Sequence, residues 1–392
     1  MFSDKLNFNN QPITHRETFE AIVIGGGVIG LAIARELKKR GVERILLLEK
    51  NETCGAEASS AAAGMLAPQA EADSADDFFN LCRESRDLYG NFADELLVET
   101  GVNVQLDQTG TLYLAFDGTD LEEIEKRFAW QRTADLPVEK INRREVLELE
   151  PNISERVLGA LLFPLDWQVE NRNLIRALVE SLAARNVSIQ CSTAVEKILF
   201  ENGKVSGVAT NFGEIRAQNV IVASGAWTRL FSEMPFDSPL ESFVKPIRGQ
   251  MLSFAYREKP LRHVVYTARG YAVPRVDNRV LIGATVEDVG FQKSVTGNGL
   301  LSLLQTALEI SPQLGDLIVS ETWSGLRPAS ADDLPIIGEF PENANLYFAT
   351  GHYRNGILLA PLTARLIADK IVADKNSPFL QTFNLSRFQR NL

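Results

Sequence analysis

Gly25-Gly26-Gly27-Val28-Ile29-Gly30 is the first stretch whose residue types and spacing could do chemistry. It satisfies GxGxxG and lies between an apolar run, Glu20 to Gly25, and a segment whose apolar residues recur at helical spacing. Gly25 permits a tight turn, Gly27 lets a pyrophosphate approach the backbone, and Gly30 lets helix and strand pack closely. The helix N-terminus then turns its free amides toward negative charge. Glu49 ends a second apolar run, where a carboxylate accepts hydrogen bonds from a ribose diol. A glycine turn with an ordinary strand-end glutamate is the plainer meaning, but strand, turn and helix all agree with the dinucleotide reading. The motif alone does not separate NAD from FAD.

Three further stretches bear on chemistry. Ser59-Ser60-Ala61-Ala62-Ala63-Gly64-Met65-Leu66 is a helix start by propensity, and it is also the kind of flat surface that an isoalloxazine ring needs beside a dinucleotide fold. Trp323-Ser324-Gly325-Leu326-Arg327-Pro328 reads as a strand ended by proline, with Trp323, Gly325 and Arg327 on one face. A guanidinium fork there matches a carboxylate bidentately. The alternative is a surface arginine paired with Asp332 or Asp333. Gly351-His352-Tyr353-Arg354-Asn355-Gly356 precedes a helix, so its amides aim partial positive charge at whatever lies in front, which suits a reduced flavin. The same text also describes a capping loop with two turn glycines and an exposed arginine.

The elements that must position these residues are legible. Glu20 to Gly25 is a buried parallel strand, Val28 to Arg40 a helix stopped near Gly41, and Ile45 to Leu48 a second strand, which together make a right-handed βαβ unit. Helical text follows the acidic run from Glu71 to Asp77 and reaches about Glu99. Val195 to Phe200, Val205 to Thr210 and Asn219 to Ala223 form a meander, turned first at Asn202-Gly203. Residues 243 to 290 alternate apolar and polar, with Tyr271 to Arg275 and Arg279 to Thr285 as strands joined through Asp277-Asn278. Leu346 to Ala349 is a short strand, and Ile357 to Val372 a helix that returns the chain to its first domain. Residues 1–17 read as a flexible tail.

Composition excludes several classes. The chain has 392 residues, enough for two domains, and a net charge of −11 that repels nucleic acid. No uncharged stretch reaches the length of a membrane span, and no secretory signal is evident. Three cysteines, Cys54, Cys82 and Cys191, form no disulfide or metal pattern and fit a reducing cytoplasm. With three histidines, and no GxSxG, HExxH or P-loop, hydrolase, metal and kinase readings fall away. A flavin takes hydride from an amine without a histidine base, because the cofactor carries the difficult chemistry.

GGGVIG at 25–30, SSAAAGMLAPQAE at 59–71, VIVASGAW at 220–227, GLRPAS at 325–330 and GHYRNGILLAP at 351–361 carry a resemblance. The chain resembles the glycine oxidase branch of the D-amino-acid oxidase-like FAD enzymes, the type that feeds thiamine thiazole synthesis, from Glu20 to about Phe383. The resemblance implies an α/β fold: a glutathione-reductase-like Rossmann domain holding FAD non-covalently, joined to a substrate domain on a mixed, largely antiparallel sheet. It implies 18–90, 150–235 and 325–392 for the first domain and 91–149 and 236–324 for the second, commonly in a homotetramer. Carried over by motif, FAD meets Val28 and Ile29 at the first turn, Glu49 and Lys50 at the ribose, and Ser59, Ala63, Gly64 and Met65 around the pyrophosphate and ring. Val195 lies near adenine, and His352, Tyr353, Arg354, Asn355, Gly356, Ile357 and Leu358 line the pyrimidine side. Arg327 holds the substrate carboxylate, with Tyr271 and Arg354 completing the pocket. Glycine oxidases often carry a histidine two residues before the pocket tyrosine; here Arg269 stands there, as a second carboxylate anchor or a rim residue.

The implied reaction is oxidation of glycine, sarcosine or D-alanine by hydride transfer to flavin N5, giving an imine and hydrogen peroxide from molecular oxygen. The rivals are a D-amino-acid or imino-acid dehydrogenase of the same fold that uses a quinone, and a non-catalytic FAD-binding subunit.

Overall fold

The computed structural model describes residues 18–230, 243–340 and 344–391. The expected tail and the expected domain boundary near residue 235 lie outside them. The first strand, β1 (Thr18–Ile24), ends in four buried residues and leads through the glycine turn into helix α1 (Val28–Lys39), which returns to strand β2 (Ile45–Leu48). Leu31, Ile33 and Leu37 of α1 are fully buried, each worth roughly 1.5–3 kcal/mol of transfer free energy. Gly41 follows the last turn with φ 89°.

β1 is central as expected. It runs parallel to β2 on one side and to Gly213–Val222 on the other, with Ile22 opposite both Leu46 and Val220. The sheet continues through Ser188–Gln190 at one edge, and through Leu346–Thr350 and Ile336–Glu339 at the other. Val195–Glu201 and Lys204–Thr210 extend it as an antiparallel meander. Their turn residues Asn202 and Gly203 have φ 52° and 75°, the left-handed geometry that a two-residue hairpin demands.

A short helix, α2 (Pro68–Glu71), links the small-residue segment to the helices Asp77–Asp87 and Tyr89–Thr100. The second sheet is mixed and mostly antiparallel. It includes β3 (Val244–Ala255), β4 (Val264–Thr267), β5 (Gly270–Pro274) and β6 (Ile318–Ser330), together with Arg279–Gly283, Thr111–Ala115, Gly159–Phe163 and Glu139–Asn142. Gly159–Phe163 pairs with Thr111–Ala115, and β6 pairs with β3 as far as Ser330, so both belong to this sheet rather than to the nucleotide sheet.

Two local expectations need correction. β3 does not alternate: Pro246 to Phe254 are all buried. Leu252 and Phe254 pack on Leu303 and Ala307 of the helix Gly297–Ile310, while Met251 packs with Ala63 on the other side, so both faces are covered. Nor does Pro328 end its strand, which continues to Ser330. β6 is an edge strand and Pro328 lies opposite Pro246 of β3, so no ladder bond requires the missing N–H. The last long helix, α3 (Gly356–Ala373), packs on α1 and buries Leu358, Leu359 and Leu362.

Candidate active site

A cavity of about 540 Å³ opens where the two sheets meet. One end is the glycine turn. Gly25 has φ 111°, and a side chain there would meet the Ala223 carbonyl at 2.5 Å. A side chain on Gly30 would lie 2.0 Å from the Gly25 carbonyl oxygen, so Gly30 serves the strand–helix joint and does not line the cavity. Gly27 is different: its φ is −75°, and the nearest atom to its missing side chain is Ser59 Oγ at 3.2 Å. What Gly27 preserves is open space before the helix.

α1 starts without a side-chain cap from Gly27. Ser59 Oγ accepts the Val28 N–H at 3.0 Å, while the Ile29 and Gly30 amides have no intrahelical acceptor. Glu49, only 7% exposed, accepts the Gly26 N–H at 2.7 Å through Oε2 and the Asn51 N–H at 2.8 Å through Oε1. These bonds hold its carboxylate at the cavity wall beside Val195. The Lys50 ammonium sits 3.6 Å over the Trp227 ring and 3.2 Å from Glu57.

The middle of the cavity is lined by Ala61, Ala62, Ala63, Gly64 and Met65. A side chain on Gly325 would lie 2.5 Å from Ala61 Cβ, and Trp323 Nε1 donates to the Ala61 carbonyl at 3.0 Å. Behind this shelf Arg275 is buried and donates to the Ala63 and Val169 carbonyls at 2.5 and 2.7 Å, with Glu170 at 3.4 Å. Sequence reasoning missed Arg275, because its partners are scattered along the chain and form no motif.

At the far end Arg327 lies over Gly249, where a side chain would come within 2.3 Å of Nη1, and Nη1 donates to the Thr285 carbonyl at 3.0 Å. Among the described residues it has no carboxylate partner; Asp332 pairs with Arg387 instead. Beside it, the Tyr271 hydroxyl lies 3.5 Å from Met251 Sδ. Burial raises the Tyr271 pKa, with Arg327 acting in the opposite sense. Tyr271 and Tyr266 have ring centres 5.6 Å apart, and the Tyr266 hydroxyl donates to Glu71 Oε1 at 2.6 Å. Glu71, Tyr266 and Met251 all line the cavity, and none was singled out from sequence.

The loop before α3 forms the remaining wall with His352, Tyr353, Arg354, Asn355, Gly356 and Ile357. Burial pulls the His352 pKa down to about 3, so the ring is neutral, and its Nε2 meets Thr363 Oγ1 at 3.1 Å. The Tyr353 N–H donates to the Pro328 carbonyl at 2.9 Å, and Ala329 bridges to His352, which ties this loop to β6. Arg354 is exposed over the Tyr353 ring. Leu358, expected to line the ring, is not a wall residue: one helical step on, it points into the core, and its carbonyl accepts Ser85 Oγ at 2.6 Å. Arg269 sits at the rim, with ion pairs of 2.7 Å to Asp120 and 2.5 Å to Glu309. Its guanidinium is occupied and does not serve as a second anchor.

A dinucleotide turn, a flat shelf and an arginine without an acid partner among the described residues define a flavin-type oxidoreductase site. The FAD-dependent oxidoreductase family model matches residues 20–370, and the chain belongs to that family. It is 36% identical to a glycine oxidase of Geobacillus kaustophilus over 96% of this chain and 98% of that one. A crystal structure of glycine oxidase from Geobacillus kaustophilus superposes with a TM-score of 0.89 over 95% of this chain and 99% of the other, at 35% identity. A bifunctional ThiO/ThiG protein of Trichormus variabilis is 40% identical over 95% of this chain, which spans 56% of that longer protein.

FAD is the family's cofactor, and the residues present fit it. The free Ile29 and Gly30 amides at the helix start would suit a pyrophosphate, the fixed Glu49 carboxylate a ribose, and the alanine shelf a planar ring. Among the described residues no helix is long and apolar enough to cross a membrane, and no acidic, cysteine or histidine cluster is arranged to hold a metal.

Proposed function

We propose that the chain is an FAD-dependent oxidase of glycine and similar small amines, such as sarcosine and D-alanine, and that it serves thiamine thiazole synthesis. The observation that carries this reading is Arg327, a guanidinium with no acid partner among the described residues, at the end of a cavity floored by alanine and glycine. When bound, FAD supplies the acceptor for the hydride leaving the amine's α-carbon and returns the electrons to molecular oxygen, with an imine and hydrogen peroxide as products.

The protein's residues hold and orient. Arg327 takes the substrate carboxylate in a bidentate pair, with the Tyr271 hydroxyl beside it and Arg354 at the pocket's edge. Tyr271, Met251 and Met65 limit the space for a side chain and exclude water. The amides at the start of α3 present partial positive charge to the ring's pyrimidine side. Ser59, Glu49, Lys50 and the first-turn amides hold the dinucleotide, with Val195 at the adenine. The two sheets mark the two domains, with Gly159–Phe163 and β6 on the substrate side. A cytoplasmic homotetramer completes the reading, supported by three unpaired cysteines and by the family resemblance, and light scattering measures its assembly.

The test is anaerobic bleaching of the purified yellow protein by glycine, sarcosine, D-alanine and D-proline, followed by admission of air and a peroxide assay. Bleaching by glycine with peroxide on reoxidation is the expected outcome. A flavin that no amine bleaches contradicts the oxidase reading, and bleaching without peroxide moves the acceptor from oxygen to a quinone.

A further inference from the structure

An amino acid arrives at neutral pH as a zwitterion, yet its α-carbon releases hydride only once the nitrogen holds a free lone pair. Arg327 accounts for the carboxylate; the ammonium needs its own partner. Three carboxylates line the cavity: Glu49, Glu57 and Glu71. Glu49 is spent on the Gly26 and Asn51 amides, and Glu57 is paired with Lys50 and Lys293. Glu71 has, among the described residues, no ion pair and no backbone amide donor, and it accepts the uncharged hydroxyl of Tyr266 at 2.6 Å. Tyr266 stands beside Tyr271, with ring centres 5.6 Å apart, so Arg327, Tyr271, Tyr266 and Glu71 succeed one another along one wall.

We propose that Glu71, held by the Tyr266 hydroxyl, receives the substrate ammonium and takes one proton from it. The step is R–NH3+ plus Glu71 carboxylate giving R–NH2 plus Glu71 carboxylic acid: the N–H bonding pair stays on nitrogen, and a carboxyl O–H bond forms. The proton returns to solvent when the imine leaves. The inference rests on the amine-oxidase reading and adds the residue that prepares the amine.

The surroundings agree. Glu71 is the last residue of α2, whose Gln69 and Ala70 amides donate to the buried Asp166 carboxylate at 3.2 and 2.7 Å. The charged and titratable groups around Glu71 are Tyr266 on β4, Tyr271 on β5, Arg354 before α3, Cys82 and Asp166 behind it, and Arg127, which bonds the flanking Ala70 and Ala72 carbonyls and pairs with Asp73. Burial holds both tyrosines neutral as donors, with their pKa values raised. Arg354 attracts Glu71 without forming an ion pair, which leaves the carboxylate open to an incoming cation.

The test compares wild-type holoenzyme with Glu71→Gln and Tyr266→Phe. Acetate, which carries a carboxylate and no ammonium, is titrated by its perturbation of the flavin spectrum; glycine is followed by anaerobic flavin reduction as a function of pH. In Glu71→Gln, acetate binding changes by less than about twofold, while the apparent second-order rate constant of reduction by glycine falls about tenfold or more near neutrality. That deficit shrinks as pH rises and glycine deprotonates in solution. Tyr266→Phe shows the same pattern in smaller degree, and it decides the matter should Glu71→Gln fail to retain flavin. Equal losses for acetate and glycine, or a deficit constant with pH, overturn the inference while leaving the oxidase reading intact. A wild-type flavin that acetate perturbs but no amine bleaches overturns both.

Discussion

Arg327 and Glu71 show how differently two site residues speak from the sequence. Arg327 announced itself through its strand, because Gly325 on the same face promised an open surface and Pro328 a change of course. Glu71 stood at the head of an acidic run with no role of its own, and its partner Tyr266 is 195 positions away. Only the folded chain brings them together. Arg269 was readable as either anchor or rim, and the acids that decide the matter, Asp120 and Glu309, come from separate helices. For Arg327→Ala we expect a flavin spectrum like wild type and a KM for glycine raised about 10- to 150-fold, from the loss of ~1.5–3 kcal/mol in a charged hydrogen bond. Steady-state peroxide assays measure it, and an unchanged KM removes Arg327 from the substrate.

The glycines of one turn do separate jobs at the scale of elements. Gly30→Ala drives a methyl group into the Gly25 carbonyl, so it should prise α1 from β1 and lower the thermal midpoint. Gly27→Val keeps an allowed backbone and fills the space before the helix, so it should fold yet purify without colour. Circular dichroism and absorbance distinguish the two, and a yellow Gly27→Val protein contradicts the phosphate-turn reading. The placement of α2 carries a pH dependence. Burial raises the Asp166 pKa to about 7, against the opposing pull of the Ala70 and Gln69 amides, whereas an unfolded aspartate titrates near ~3.9. The folded state therefore holds a proton that the unfolded chain gives up. Its stability contribution is complete below about pH 4 and is lost as pH rises toward about 7. Thermal midpoints of wild type should decline over that window relative to Asp166→Asn, and parallel curves would refute the assignment. Strand and helix periods made most elements readable. β3 and β6 departed from pattern because tertiary cover and edge position, neither of them local, decide what a strand tolerates.

For the whole molecule, the sequence disclosed a nucleotide fold with a second sheet but not that Gly159–Phe163 joins that second sheet, since nothing near that strand names its neighbour Thr111–Ala115. The cavity lies where the sheets meet, so a bound cofactor touches both and stabilises the folded state by mass action. Removing the flavin should lower the thermal midpoint, and it should speed amide hydrogen exchange in residues 58–71 and 351–357 more than in β1 or α1. Exchange that stays uniform after removal would show that the cofactor does not span the seam. The stitching of β6 to the loop before α3 reaches further. Arg327 and the amides before α3, the proposed grips for acid and ring, ride on a single joined unit, so shifting one drags the other. An enzyme engineer who wants a bulkier diet should leave that bracket alone and recarve the methionines, Met65 and Met251, instead.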